Sequence, residues 1–567
     1  MLDRLIAIPP SFIAPDGERL NWHAYVFLVI LCFAFFLPGF TTLPPTDRDE
    51  SLFAQASKQM IESGNYIDIR FQDVPRYKKP IGIYWLQSAS VWLLNPQHLD
   101  EIWAYRVPSF IGATVAVVIT ASLGTLLFGP MTGLLAAIMM AGCLLLNVEA
   151  RLAKTDAALL GSIMVAQYAL ARAYVGRASA KIGWGVRLAF WTALGIGILL
   201  KGPVILLIVL STLLWLRVTE KNLAWFNGLK PFLGIPYLFL LIVPWFAAIM
   251  LASHGQFLEQ SAGHDLLGKL WQDQGRGLTP PGLYLVAFPV TFFPFALWAI
   301  LAAPDSWRDR HEPAMRFCLG WIIPAWIAFE LVHAKLPHYV LPVYPAVAML
   351  AAKALLGGFP ALAERRFRWL PPIAIGVWLM TGTGVVLLAI LLPYMLDHVW
   401  NAGQIAAGAL LLLAQGISLP LFFQRRENSV IVMAAGNLVF MISLFACNLP
   451  HLQQPWVSSQ IVQVANSIKP CAGPARISSI YNEPSLVFLA GDATNLRTDG
   501  SAVANDLRQD PCRVGVVEDS QRDSFLKSFA GAQRQPYPVA AIEGFVLPRG
   551  RRTKIGMFLM PQEKISP

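Results

Sequence analysis

Small clusters of ionisable residues stand beside several of the apolar runs of this chain. Asp47, Asp49 and Glu50 follow the first run, and Lys78 and Lys79 come later in the same polar stretch. Arg151, Lys154 and Asp156 form a third group and Lys201 a fourth. His254, His264, Asp265 and Lys269 form a fifth, and Lys335, His338 and Tyr339 a sixth. Charged residues beside apolar segments are expensive and usually functional. Carboxylates mixed with lysines and histidines suit a substrate that carries both hydroxyls and a phosphate. Lysines stabilise the charge that builds on a phosphate leaving group, and a carboxylate deprotonates or orients an acceptor. Each group also has a plainer use. Asp47 and Asp49 suit helix N-caps, and Lys78 and Lys79 suit snorkelling at a membrane interface. Lys154 can simply pair with Asp156, Lys201 can cap the end of a span, and His264 and Asp265 can be ordinary loop residues.

The elements that must position these residues are membrane helices. The chain has 567 residues, 56% hydrophobic and 14% charged, where soluble domains carry about 25% charged residues. Its mean hydropathy is +0.53. That balance excludes a soluble globular enzyme, a disordered chain and a coiled coil, and it argues against reading the net charge of +10 as a nucleic-acid patch. At about 20 residues per span, apolar runs fall near 24–43, 106–128, 131–147, 157–172, 188–200, 203–217, 232–252, 282–303, 316–333, 341–357, 371–393, 403–423 and 429–448. The first begins late, lacks a small-residue cleavage site and reads as a retained span.

Thirteen spans put five basic loops on one side. These hold Arg172 to Arg187, Arg217 to Lys230, Arg308 to Arg316, Arg365 to Arg368, and Arg425 with Arg426. That side is cytoplasmic by the positive-inside rule, so the N-terminus is inside and the C-terminus outside. The six clusters then share the external face and read as one composite site. An enzyme facing away from ATP and nucleotide sugars needs a lipid-borne donor, and a polyprenyl-phosphate sugar fits.

The first external loop, 44–105, holds two helical segments. In 50–63, Leu52, Phe53, Ala56, Met60 and Ile61 share a face and Gly64 ends the helix; 80–94 is mostly apolar. Both suit helices lying in the membrane interface. The loop 253–281 is also long. Residues 1–448 form the membrane domain and 449–567 an exported α/β accessory module. Its strands are expected near 475–480, 513–517, 539–547 and 553–560, with a helix over 519–529. Cys471 and Cys512 pair with each other if that module is exported. Cys32, Cys143, Cys318 and Cys447 read as core thiols.

The run from Pro44 through Asp49-Glu50 and the segment Tyr77-Lys78-Lys79-Pro80-Ile81-Gly82 carry a family resemblance. So do Lys154-Thr155-Asp156, Lys201-Gly202-Pro203, His264-Asp265-Leu266-Leu267-Gly268-Lys269 and Lys335-Leu336-Pro337-His338-Tyr339. In that order the chain resembles the dolichyl-phosphate-mannose protein mannosyltransferase superfamily (glycosyltransferase family 39), whose bacterial branch includes the lipid A aminoarabinose transferase. The resemblance implies a GT-C fold, with about thirteen transmembrane helices and a small C-terminal α/β domain. It also implies an inverting transfer from an undecaprenyl-phosphate sugar to lipid A or another envelope acceptor, with no cofactor and little or no need for a metal. Asp49, Glu50 and Asp156 take the catalytic positions. Lys79, Lys78, Lys269 and His264 face the donor phosphate. Asp47, Lys154, Lys201, Asp265, Lys335, His338 and Tyr339 contact acceptor or sugar. Two positions depart from the aminoarabinose pattern: Leu52 stands where an arginine is common, and Lys78 where an acidic residue is. Partners are expected to be the lipid-linked donor, a lipid or glycan acceptor and the bilayer, with no nucleic acid, and the chain is expected to act as a monomer in the bacterial inner membrane. The competing readings are an enzyme glycosylating exported proteins and a polytopic transporter, although no internal repeat of the transporter kind is visible.

Overall fold

A computed structural model describes the whole chain except residues 1–8, 47, 177–181, 262–279, 425, 469, 472, 474, 547–548 and 562–567. It is a polytopic helical membrane protein with a small sheet domain at its C-terminal end. Among the described residues, nine helices are long and apolar enough to cross a membrane, beginning with Trp103–Phe128 and ending with Glu427–His451. The other four expected spans are shorter or broken. Trp22–Phe36, Pro130–Gly142 and Val204–Glu220 have 15, 13 and 17 residues. The run at 282–303 splits into Leu283–Thr291 and Ala296–Arg308.

The breaks have a local cause and a shared remedy. Pro294 has no N–H to continue a helix, and the chain at Cys143 is extended. Backbone groups freed inside a bilayer must find partners within the protein. Leu144 N–H donates to the carbonyl of Phe293 at 2.9 Å, joining the two breaks. Trp378 Nε1 donates to the Pro294 carbonyl at 2.6 Å, and Asn437 Nδ2 to that of Gly142 at 2.8 Å.

Close packing of small residues fixes the helices that carry the site. A Cβ on Gly112 would lie 2.4 Å from Ala158 Cα. The spans Trp103–Phe128 and Asp156–Val175 therefore touch backbone to backbone, as small residues allow in membranes. At the start of Gly82–Leu94, a Cβ on Gly82 would lie 2.7 Å from the carbonyl of Leu199, two residues before Lys201.

The long loop contains the two expected helices, Asp49–Ser63 and Gly82–Leu94, and a short hairpin pairing Arg70–Phe71 with Val74–Pro75. Gly64 ends the first helix in the left-handed region. That helix buries more than its apolar face: Glu50, Ser51, Gln55, Ser57 and Lys58 are buried as well. Its polar face is covered by the C-terminal domain, where Gln55 Nε2 meets Asp492 Oδ1 at 2.5 Å and Lys58 Nζ the Phe488 carbonyl at 3.2 Å. The sequence pattern shows only the apolar face; the polar face is packed as well.

Glu50 ties the loop to the bundle. It is fully buried and forms an ion pair with Arg106, Nε to Oε1 at 2.8 Å and Nη2 to Oε2 at 3.2 Å. It also accepts from Thr46 N at 2.8 Å, Thr46 Oγ1 at 2.9 Å and Ala153 N at 2.9 Å. The remaining Arg106 protons go to the carbonyls of Phe40, Leu43 and Pro44. Burial pushes the Glu50 carboxyl up, but the Arg106 charge and the hydrogen bonds outweigh it and hold the pKa below its ordinary 4.5. A lowered native pKa stabilises the fold above the ordinary value, and that stability is lost as pH falls below it. Glu50 is thus a structural clamp, with its oxygens already taken, and not a group free to touch a substrate.

The C-terminal domain is a mixed five-stranded sheet in the order Asn495–Leu496, Arg476–Ser479, Arg513–Glu518, Arg551–Leu559, Tyr537–Val546. The first three strands are parallel and the last two antiparallel. The four expected strands are present, as is a shorter helix, Arg522–Lys527. The edge strand Asn495–Leu496 has only two residues, too few for a period to show. Cys471 and Cys512 form a disulfide with Cα atoms 5.5 Å apart.

Two predictions follow from these contacts. Glu50→Gln leaves the Arg106 charge buried without its counter-ion and should cost about 3–5 kcal/mol, read as a lower denaturation midpoint of the purified protein; an unchanged midpoint would remove the clamp. Alkylation followed by intact mass should find Cys471 and Cys512 blocked until reduction. Loss of the bridge should destabilise the module by about 4 kcal/mol in the chain-entropy model.

Candidate active site

The site gathers at the ends of spans. Asp156 is the first residue of Asp156–Val175 and Lys201 the last of Trp184–Lys201. Lys201 Nζ pairs with Asp156 Oδ1 and lies 5.1 Å from the centre of the Tyr339 ring. Tyr339 and His338 belong to the short turn Pro337–Val343. His338 Nε2 is 3.7 Å from Asp156 Oδ1, and its Nδ1 is 3.5 Å from Glu149 Oε1. Lys154 Nζ completes the group at 3.1 Å from Glu149 Oε1. Three stretches of chain, 149–156, the end of the span at Lys201 and the turn at His338–Tyr339, thus bring two carboxylates, two ammonium groups, an imidazole and a phenol together.

Asp49 and Lys79 come from the long loop and lie near enough for their charges to be felt in the group. Asp49 is exposed at the start of its helix, and its charge acts on Lys154. Lys79 is half-buried, and its charge acts on His338. Its position is held on both sides, because Tyr77 and Ile81 are buried with Phe53, Tyr84, Trp245 and Phe257 in one apolar cluster. Burial opposes the Lys154 charge, but Glu149 and Asp156 more than offset it and raise its pKa above the ordinary lysine value.

The remaining sequence candidates divide. Lys335 donates to the carbonyl of Val332 at 3.1 Å, and Lys78 is exposed. Glu50 belongs to the clamp. Asp47, His264, Asp265 and Lys269 lie outside the described residues. Arg151 is an anchor: it donates to the carbonyls of Phe35, Pro38 and Asn147 and lies 4.0 Å from the Phe445 ring centre. Sequence reasoning missed Glu149. Its signal was a lone carboxylate just beyond an apolar run.

Glu149, Asp156 and His338 place three ligand atoms within 4.8 Å of one another, close enough for a divalent cation. Lys154 and Lys201 already sit on one oxygen of each of those carboxylates, and a cation there would share them with two ammonium groups. The carboxylates orient lysines whose charge, with Lys79 and the Tyr339 hydroxyl, suits a phosphate, and Asp49 stands at the exposed side.

Residues 78–247 match the family described as dolichyl-phosphate-mannose-protein mannosyltransferase. The undecaprenyl phosphate-alpha-4-amino-4-deoxy-L-arabinose arabinosyl transferase of Pectobacterium carotovorum subsp. carotovorum (strain PC1) is 24% identical over 453 residues, covering 77% of each chain. The enzyme of the same name from Edwardsiella ictaluri (strain 93-146) is 27% identical over 350 residues, covering 59% of each. Among solved structures, ArnT from Cupriavidus metallidurans bound to undecaprenyl phosphate superposes with a TM-score of 0.70 at 20% identity, over 96% of this chain and 98% of that one. The archaeal oligosaccharyltransferase AglB from Archaeoglobus fulgidus reaches 0.52 at 11% identity, over 96% and 75%. These likenesses bear out the resemblance drawn from the sequence motifs: the chain has the GT-C membrane fold and is similar to the dolichyl-phosphate-mannose protein mannosyltransferases and to the bacterial aminoarabinose transferases.

Proposed function

We propose that the chain is an inverting glycosyltransferase that moves a sugar from an undecaprenyl-phosphate donor to lipid A or another envelope acceptor at the periplasmic face of the inner membrane. The observation that carries this is the Asp156–Lys201 pair set against Tyr339 and His338, with Lys79 and Lys154 alongside and Asp49 exposed next to them. The names of the curated relatives, undecaprenyl phosphate-sugar transferases, support the donor class.

On this reading the donor phosphate lies against Lys79, Lys201 and Tyr339. The acceptor oxygen attacks the anomeric carbon from the opposite face. The bond from that carbon to the phosphate oxygen breaks, and its electron pair stays on the leaving phosphate, where the ammonium groups meet the growing charge. Asp156 and Glu149 hold Lys201 and Lys154 in place. A hydroxyl acceptor gives its proton to Asp49. A phosphate acceptor is already a nucleophile, and Asp49 then only orients it. A transporter would concentrate such residues at the bilayer midplane on broken helices. Here they stand at span ends, and the broken segments near Cys143 and Pro294 are filled with backbone hydrogen bonds.

Asp49→Asn should leave the denaturation midpoint unchanged and lower transfer by about 10²-fold for a hydroxyl acceptor, less for a phosphate. Wild-type turnover with a hydroxyl acceptor would end the catalytic assignment and leave an exposed acidic residue in the first turn of the helix. Asp156→Asn is the less clean variant, since it strips a buried lysine of its partner and lowers stability with activity. Lys79→Ala should weaken binding of undecaprenyl phosphate as well as turnover; full affinity would remove Lys79 from the phosphate site. Orientation is tested separately: alkaline phosphatase fused to the C-terminus should be active in cells, and an inactive fusion beside an active cytoplasmic reporter would overturn the periplasmic placement.

A further inference from the structure

The C-terminal domain reads from composition as an accessory, but its contacts run into the machinery. Phe488, on the short helix Pro484–Ala490, is fully buried, yet outside the cores of its own sheet. It is buried with Ala54 of the loop helix, Tyr105 at the head of the span Trp103–Phe128, and Ala153. The Tyr105 and Phe488 rings meet edge to face with centres 5.4 Å apart. Ala153 is the residue before Lys154, and its N–H is one of the donors to Glu50. One ring from the C-terminal domain therefore closes a seam between the helix that begins with Asp49 and the turn that carries Lys154.

A second contact reaches the same helix at the residue just before it. Arg48 has φ 64° and ψ −106°, a conformation that side-chain-bearing residues rarely adopt. Such strain persists only where surrounding structure enforces it. The Arg48 guanidinium faces Glu483 of the C-terminal domain at 3.9 Å, and Glu483, 1% exposed, is also held by Arg549 at 3.0 Å.

We propose that the C-terminal domain is a positioning element of the active site. Phe488 wedges the loop helix against the Ala153–Lys154 turn, and Glu483, acting through Arg48, sets the backbone from which Asp49 projects. The inference rests on the assignment of Asp49 to the transfer site made above.

The test uses the full-length protein with Phe488→Ala, Phe488→Leu and Glu483→Gln. Hydrogen–deuterium exchange is followed over 49–63 and 150–156, beside kcat and the donor KM, and the Cys471–Cys512 bridge reports that the domain is folded. Phe488→Ala should speed exchange in those two segments while the spans stay protected. It should lower kcat about tenfold or more, the scale of a small misplacement of reacting groups, with little change in donor KM. Phe488→Leu should recover most of both effects. Glu483→Gln should lower kcat with the helix still protected. Wild-type kcat and exchange in Phe488→Ala, with the bridge closed, would overturn the inference. So would a loss of kcat accompanied by weaker donor binding and faster exchange throughout the spans, which marks general destabilisation. Failure of the glycosyltransferase reading is distinguishable: the wild-type chain then transfers no sugar, and exchange over 49–63 still decides whether the domain holds the loop helix.

Discussion

The charge of Glu50 cannot reach water, so the protein must solvate it, and it does so with five hydrogen bonds drawn from three segments of the chain. Removing an ion pair from water costs several kcal/mol per ion, repaid only when every remaining lone pair and proton is used. That condition is met on both sides, since Arg106 spends its other donors on three carbonyls that end the first helix region. The loop, the span Trp103–Phe128 and the turn before Asp156 are consequently one rigid unit. Asp49 is one residue away from the clamp and Lys154 one residue beyond Ala153, so the geometry of the site is inherited from an interaction that takes no part in the chemistry.

Adjacent carboxylates in this motif diverge because a helix turns about 100° per residue. Glu50 points into the bundle and Asp49 out of it. A similar division holds deeper in. Glu149 and Asp156 face Lys154, Lys201 and His338, and they hold two ammonium groups in place. Unit charges 4 Å apart at an effective dielectric of 20 interact by about 4 kcal/mol. That is enough to hold lysines in place against the entropy of their long side chains, while Lys79 supplies a further charge for an incoming anion.

Much of this was legible in the sequence because it is local. Hydropathy located the long spans, the apolar spacing before Gly64 located the loop helix, and alternation located the longer strands. The site residues at span ends were visible because charge beside an apolar run stands out. What was hidden depends on distant partners. Nothing around Glu50 distinguishes it from Asp49; the difference is Arg106, 56 positions away. The breaks at Cys143 and Pro294 are tolerated because each supplies what the other lacks, and no window on one of them contains the other. The role of the C-terminal domain was out of reach for the same reason, since Lys58 and Phe488 meet across 430 positions.

The division of labour among these elements follows from what each can hold still. Asp156 and Lys201 terminate two spans whose spacing is set by helix packing, and such posts shift little. They are suited to the phosphate of a donor whose tail stays in the bilayer and whose head group sits at a fixed height. On the proposed reading Asp49 meets an acceptor that arrives from outside; it stands on a loop helix, which would drift if only its apolar face were packed. The bundle fixes that helix from below through Glu50 and the C-terminal domain covers it from above through Gln55, Lys58 and Phe488. Enclosed on both sides, the helix is exposed only at its ends, with Glu62 and Ser63 at the last turn and Asp49 at the first.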